Sequence, residues 1–278
     1  MIDLHTHSAC SDGSETPGRV VELAAAAGCS AVSLTDHDGT FGIDAAQARA
    51  EEIGIGFLAG CEISCTSDAG PIHLLCYFSS GRHDALADLL EDLRADREVR
   101  NVGIVQRFVE LGIPLSYEEV RAEARGPIVG RPHFAALLLR RGIVGSIDEA
   151  FGRYLRAGAP AYVARTPVAP LTVIEKARAS HAVTVLAHPL SLGLAVDDLD
   201  TFVSGLAGAG LAGLEAHYGH YEPATREDLA ALARRHGLVA TGGSDFHGTF
   251  RPDLAVGTGT GNLAVPETCL DELIARLP

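Results

Sequence analysis

Along the first eighty or so residues, short apolar runs alternate with amphipathic stretches. Ile2 to His5 reads as a strand, and Thr16-Pro17 supplies an N-cap and a first-turn proline for a helix through Val20, Val21, Leu23 and Ala24 to Gly28. Ala31 to Leu34 is the next strand, followed by a helix from Asp44 to Ile53 and strands from Gly56 to Ile63 and from Ile72 to Phe78. Continuous apolar strands separated by helical patterns predict parallel βα units. The period then changes. From Asp84 to Tyr154 it is helical throughout, with a long charged helix (Asp84 to Leu111) and shorter ones at Tyr117 to Ala124, Pro132 to Arg141 and Ile147 to Tyr154, broken by Gly112, Gly126-Pro127 and Gly142. After Thr166-Pro167 the alternation resumes with a helix from Leu171 to Ser180, strands at Val183 to Ala187, Gly213 to Ala216 and Leu238 to Thr241, and a closing helix from Glu267 to Leu277. The pattern predicts one α/β domain made of residues 1–98 and 167–278, interrupted by a small helical subdomain, residues 99–166.

Composition narrows the function classes. At 278 residues the chain suits one domain with an insertion better than two ordinary domains, and 47% hydrophobic with 21% charged residues describes a globular protein. Twenty-two basic against 36 acidic residues give a formal charge of -14, which argues against a protein that tracks long nucleic acid over a broad basic face. The 6 cysteines show neither C-x-x-C spacing nor disulfide-scaffold density. The N-terminus has no basic region followed by an apolar stretch, and no run approaches the ~20 apolar residues of a membrane span, so a cytoplasmic protein is expected.

Metal-capable residues recur where the predicted strands end: His5 and His7, Asp12 in the following loop, His37, Glu62, His73, His188, Asp245 and His247. In parallel α/β folds the carboxyl ends of strands share one rim, so residues this far apart in sequence can converge. The His5-Thr6-His7 spacing points both imidazoles the same way on extended chain, and a carboxylate can bridge two ions with its two oxygens. Six imidazoles and three carboxylates exceed one tetrahedral centre and suggest a multinuclear cluster of Zn, Mn or Fe; the all-oxygen preference of Ca and Mg fits poorly. Taken singly, Asp12 also suits a turn with Gly13, and Asp36 a cap.

The segments Asp3-Leu4-His5-Thr6-His7-Ser8, Ser11-Asp12-Gly13, Thr35-Asp36-His37-Asp38, Gly60-Cys61-Glu62-Ile63-Ser64, Ile72-His73-Leu74-Leu75, Ala187-His188-Pro189 and Gly243-Ser244-Asp245-Phe246-His247 resemble, in order, the PHP (polymerase and histidinol phosphatase) family. Gly130-Arg131-Pro132-His133 further resembles its stand-alone metal-dependent phosphoesterases that act on nucleotides. The resemblance implies a distorted (β/α)7 barrel with a trinuclear site. His5, His7, Glu62 and Asp245 would hold one ion, Glu62 with His73 and His188 a second, and Asp12, His37 and His247 a third.

Such a site lowers the pKa of a water towards neutrality and stabilises charge on phosphoryl oxygens, and Asp245 or His247 is a candidate catalytic proton carrier. Three divalent ions make the rim locally positive, which suits a small anionic substrate. Arg131, His133, Lys176 and His220 are candidates for holding a second phosphate, sugar or base, although Arg131 and Lys176 also read as solvated helix charges and His133 as a cap. Glu215 and His217 end another predicted strand on the same rim. The implied activity is removal of a terminal phosphate from a small nucleotide, the 3'-phosphate of a 3',5'-bisphosphonucleotide first, with the insertion as a lid. A 5'-to-3' exonuclease on short oligoribonucleotides, a histidinol phosphatase and a non-catalytic nucleotide-binding regulator are the alternatives.

Overall fold

The computed structural model describes residues 1–79 and 86–278. Strands β1 (Ile2–Asp3), β2 (Ala31–Leu34) and β3 (Gly56–Ser67) alternate with helices α1 (Pro17–Ala26) and α2 (Ile43–Ile53), and β3 turns directly into β4 (Gly70–Phe78). Helices α3 (Ala87–Glu110), α4 (Tyr117–Glu123), α5 (Arg131–Arg140) and α6 (Ile147–Ala150) follow, the last running into a π-helical turn, Phe151–Leu155. Then come α7 (Pro170–Ala179), β5 (Ala182–Leu186), α8 (Val196–Ala209), β6 (Gly213–Tyr218), α9 (Pro223–Arg235), β7 (Val239–Gly243) and α10 (Thr268–Ile274). Helix starts follow local chemistry: Thr16 accepts from Arg19 N ahead of Pro17, and Ser116 with Glu119 forms a capping box on α4. The expected helix start at Asp84 lies outside the described residues.

The seven strands form one sheet in chain order. The expectation of parallel pairing throughout is corrected at β4, which runs antiparallel to both β3 and β5. The reason is chain length. A parallel pair needs a crossover of a dozen or more residues, and β3 and β4 are joined across Ser67↔Gly70 by a tight hairpin turn. The sheet closes on itself through Leu4 N→Gly242 O (3.1 Å), His7 N→Phe246 O (2.9 Å) and Asp245 N→His5 O (2.8 Å). Gly243 is required there, because a Cβ on it would stand 2.4 Å from His5 N.

Ile2, Leu4, Leu75, Tyr77 and Val185 pack inside the barrel, and a second core lies between β3 to β6 and helices α7 to α9. Ile104, Phe108, Phe134, Leu138 and Leu155 form a separate core confined to the insertion. The first half of α3 (Leu89, Leu90, Leu93) packs on the barrel and its second half on the insertion. The insertion also meets the barrel backbone to backbone: a Cβ on Gly126 would lie 2.1 Å from Ala9 O and 2.7 Å from Cys10 Cα. Gly126→Ala is therefore expected to cost about 1–3 kcal/mol of stability, read as a lower urea midpoint at unchanged m-value. An unchanged midpoint would mean that this loop relaxes freely. Among the described residues, no helix is long and apolar enough to cross a membrane.

Candidate functional site

The rim of the barrel gathers the donors. His5, His7 and Asp12 follow β1, His37 follows β2, His188 follows β5, and Asp245 and His247 follow β7. Glu62 lies within β3, opposite His37 in a parallel bridge. His73 stands early in β4, and because that strand is reversed its beginning lies at the rim where the parallel strands end. Ala187 N donates to His73 O (3.1 Å), which sets His73 beside His188.

Four donor atoms come together first. His5 Nε2 and His7 Nε2 are 3.2 Å apart, and they stand 3.5 and 3.2 Å from Glu62 Oε2 and 3.4 and 3.2 Å from Asp245 Oδ1. The 3.2–3.4 Å edges among His5 Nε2, His7 Nε2 and Asp245 Oδ1 match the about 3.3–3.4 Å edges of a tetrahedron of donors about 2.0–2.1 Å from a central ion, so these three fit a divalent cation such as zinc, with Glu62 Oε2 beside the two histidines. The other carboxylate oxygen, Glu62 Oε1, faces His73 Nδ1 at 2.8 Å and His188 Nε2 at 3.0 Å, and those two nitrogens are 3.3 Å apart. Glu62 thus presents one oxygen to each group. Asp12 makes a third focus, with Oδ1 3.4 Å from His247 Nε2 and Oδ2 3.6 Å from His37 Nε2. His7 stands between groups, its Nδ1 3.7 Å from Asp12 Oδ1, and His37 Nδ1 lies 3.0 Å from Glu62 Oε2. Among the described residues, both of these buried ring nitrogens lack a hydrogen-bond partner.

Behind the donors lies a supporting layer. Glu215, fully buried, accepts from His5 Nδ1 (2.8 Å) and from His188 N (2.6 Å), fixing one ring and the left-handed backbone of a second donor (φ 27°). Asp36 accepts from Ser8 N (2.8 Å) and Ser11 Oγ (2.5 Å), and so shapes the loop that carries Asp12. Asp245 Oδ2 accepts from Tyr218 OH (2.8 Å) and from Arg251, leaving Oδ1 for the cluster. Glu215→Gln should weaken cation affinity about 10- to 100-fold in a metal titration. An unchanged affinity would make Glu215 a packing residue only.

Burial alone would push these carboxyls up. Instead His73, His37 and His5 hold Glu62 well below the usual carboxylate range, His37 and His247 do the same for Asp12, and Arg251 with His5 for Asp245. Burial would lower the imidazoles, but Glu215, Asp245 and Glu62 raise His5, and hydrogen bonds to Asp245 and Glu62 bring His7 up to about 10. At pH 7, below that value, His7 holds a proton that a cation must expel. Metal uptake should therefore release protons and weaken as pH falls. A pH-stat titration showing uptake without proton release would remove His5 and His7 from the donor set.

This arrangement leaves the two expected proton carriers with other work. Asp245, held ionised, has no proton to give at neutral pH. The Nδ1 of His247 is bonded to Asp245 O (2.8 Å), which turns Nε2 towards Asp12 as a lone-pair donor.

A cavity of about 630 Å³ opens over the donors, and Arg131 and His220 line it. Two expectations are corrected. Lys176 is exposed on α7, on the barrel's outer surface, because that helix buries Val173, Ile174 and Ala177 instead. His133, 1% exposed, accepts from Gly130 N (2.9 Å) as the cap of α5 and packs against Phe250. Glu215 sits behind His5, and His217 is partly buried outside the cavity lining.

Sequence reading missed Arg97, Arg100 and Arg165, which line the cavity with Arg131, and Arg251, Tyr218 and Tyr221 on another wall. Arg97 and Arg165 (3.0 Å) both end on Asp38 Oδ2, while Arg100 Nε donates to Val163 O (2.7 Å). Burial first, then the neighbouring Arg131, Arg165 and Arg97, push Arg100 down to about 9. The available signal was the spacing of Arg94, Arg97 and Arg100, three residues apart on one face of a helix.

The chain matches the PHP domain over residues 3–102. It is 34% identical over 245 residues to a 5'-3' exoribonuclease of Haemophilus influenzae, covering 88% of this chain and 89% of the relative. It is 32% identical to a 3',5'-nucleoside bisphosphate phosphatase of Chromobacterium violaceum, covering 88% and 87%. Among solved structures, an amidohydrolase from Chromobacterium violaceum with bound sulfate superposes with a TM-score of 0.87 at 31% identity, covering 100% of this chain and 97% of that one.

Proposed function

The chain belongs to the PHP family of metal-dependent phosphoesterases, and from that premise we propose that it removes the 3'-phosphate of a 3',5'-bisphosphonucleotide. The observation that carries this reading is the arginine group. Arg97, Arg100, Arg131 and Arg165 line one wall of the cavity, Asp38 is the carboxylate that pairs with two of them, and buried Arg97 Nε has no partner. Cations crowded around so little negative charge suit a second phosphate held at a fixed distance from the first.

His5, His7, Glu62 and Asp245 would hold one cation, Glu62 with His73 and His188 a second, and Asp12, His37 and His247 a third, with Mn, Zn or Fe as the ions that suit these donors. Bound cations supply Lewis acidity towards the phosphoryl oxygens and make water acidic enough to attack at neutral pH. The protein's own contribution is position. Arg131 and its neighbours grip the distal phosphate and so align the scissile one over the donors. Residues 99–166 act in this reading as a fixed wall in place of a moving lid, given the close contact at Gly126 and the two arginines clasping Asp38.

Exonuclease action on short 5'-phosphorylated oligoribonucleotides is the second reading, favoured by the relative of that activity and by a cavity that continues past the donors to Tyr218 and Tyr221. The test is phosphate release by metal-reconstituted protein from a bisphosphonucleotide, the matching 5'-mononucleotide, histidinol phosphate and an aryl phosphate. A bisphosphonucleotide should be preferred by at least about tenfold in kcat/KM. Equal turnover of substrates with one phosphate would sink the proposal, and no release from any of them would favour a binding protein.

A further inference from the structure

The cavity has two unlike ends. Because the seven strands run in chain order around the barrel, the ends of β2 and β3 lie across the mouth from those of β5 and β6. The arginines reach over the first side, where Asp38 follows β2. On the far side Tyr218 ends β6, Tyr221 follows it, and Leu190 follows His188 after β5. The metal donors lie between, since the Tyr218 ring is 5.6 Å from that of His188 and its hydroxyl bonds Asp245.

This far wall is built and aromatic at its centre, with Arg251, His220 and Ser191 beside the rings. The Tyr218 and Tyr221 rings are 4.8 Å apart at 59°. Tyr221 OH accepts from Leu190 N (3.0 Å), which fixes the loop that holds Leu190 out, 40% exposed, at the cavity edge. Tyr218, 6% exposed, donates its hydroxyl to Asp245, while Tyr221 has its oxygen tied to Leu190 N and keeps a ring face and one O–H donor for a ligand. A phosphomonoester has no use for such a wall: its phosphorus carries one carbon-bearing substituent, and the arginines already claim that side. A phosphodiester carries a second nucleoside on the opposite side.

We propose that Tyr218, Tyr221 and Leu190 form a second base subsite, occupied by the nucleobase of the nucleoside whose 5'-oxygen is esterified to the scissile phosphate, so that a 5'-phosphorylated dinucleotide gains affinity that a bisphosphonucleotide cannot. Base stacking on aromatic side chains tolerates any base, so the subsite reads the presence of a second nucleotide and not its identity. In the reaction a water oxygen bonds to phosphorus, the bond from phosphorus to the 3'-oxygen of the arginine-held nucleotide breaks, and that oxygen takes up a proton given by the water. The second nucleoside leaves with the phosphate on its 5'-oxygen. The inference rests on the phosphoesterase reading above.

The experiment compares wild type, Tyr221→Leu and Tyr221→Phe on a 5'-phosphorylated dinucleotide and on the corresponding bisphosphonucleotide. The ratio of kcat/KM values, dinucleotide over bisphosphonucleotide, should fall about tenfold or more in Tyr221→Leu and stay within about twofold in Tyr221→Phe. As a binding readout, metal-loaded protein is titrated with a dinucleotide carrying a non-hydrolysable phosphonate linkage and 2-aminopurine as its second base. Stacking should quench the fluorescence with wild type and much less with Tyr221→Leu. Equal losses on both substrates, an unchanged ratio, or quenching that survives in Tyr221→Leu would overturn the subsite. Wild type that cleaves the bisphosphonucleotide but not the dinucleotide would overturn it while sparing the phosphatase reading, and wild type inactive on both would overturn both.

Discussion

Glu62→Ala should strip the centre of more than one cation and lower kcat/KM by at least about 10³-fold, whereas His73→Ala should cost fewer ions. The expectation follows from the two carboxylate oxygens: Oε2 stands within 3.5 Å of His5 and His7, and Oε1 within 3.0 Å of His73 and His188. Removing the side chain deletes a donor from two groups at once, leaving His73 and His188 without their shared carboxylate and His5 and His7 with Asp245 alone between them. Elemental analysis of the purified variants, with circular dichroism as the check on folding, decides the matter. A Glu62→Ala protein with the cation content of wild type would show that Glu62 bridges nothing. Glu62→Asp is the companion: it keeps the charge but shortens the reach, so it should retain one site in preference to two.

Arg131→Ala should depress kcat/KM for a bisphosphonucleotide by about 30-fold or more while changing turnover of a small aryl phosphate little, since an unpaired desolvated charge costs about 2 to 5 kcal/mol. The side chain is placed for that selectivity. Its guanidinium lies over the Phe151 ring at 5.6 Å and donates to Leu155 O (3.3 Å), which leaves further donors for a ligand. Remote binding energy of this kind is not open to a substrate lacking the second phosphate. Equal losses on both substrates would move Arg131 to the reacting phosphate or to the fold, and no loss on either would make it a surface charge.

How much of this could be read from the chain depends on whether the signal is local. Strand Ala31–Leu34 and the Thr16 cap were legible because a short, mostly apolar run and a Thr-Pro pair need no distant partner. Most donor residues were legible because they follow parallel strands whose ends share one rim; His73, at the start of β4, reaches that rim only because its strand is reversed. The direction of β4 was not: apolar alternation is the same read forwards or backwards, and only the short link to β3 betrays the hairpin. Helices α8 and α9 went unnamed, although the strands on either side of them were found. The phosphate-side arginines were hidden for another reason. Arg97 and Arg165 meet Asp38 across 59 and 127 positions, and the three-residue spacing of Arg94, Arg97 and Arg100 puts them on one face without saying that this face turns inward. Lys176 was a candidate for holding the substrate, yet its helix faces it to solvent.

Arg97 stands where the chain leaves the barrel and Arg165 where it returns, and both clasp the one buried carboxylate of Asp38. That knot closes a loop of about 70 residues, against a chain-entropy cost of about 4 kcal/mol for holding its ends together. The insertion is consequently a cassette with a fixed plug at each end. A graft replacing residues 99–166 would keep Arg97 and Ser64 on Asp38 but, without an arginine at the return, would take away one of the two cations that offset this buried charge, a destabilisation the barrel would have to bear before any substrate arrived.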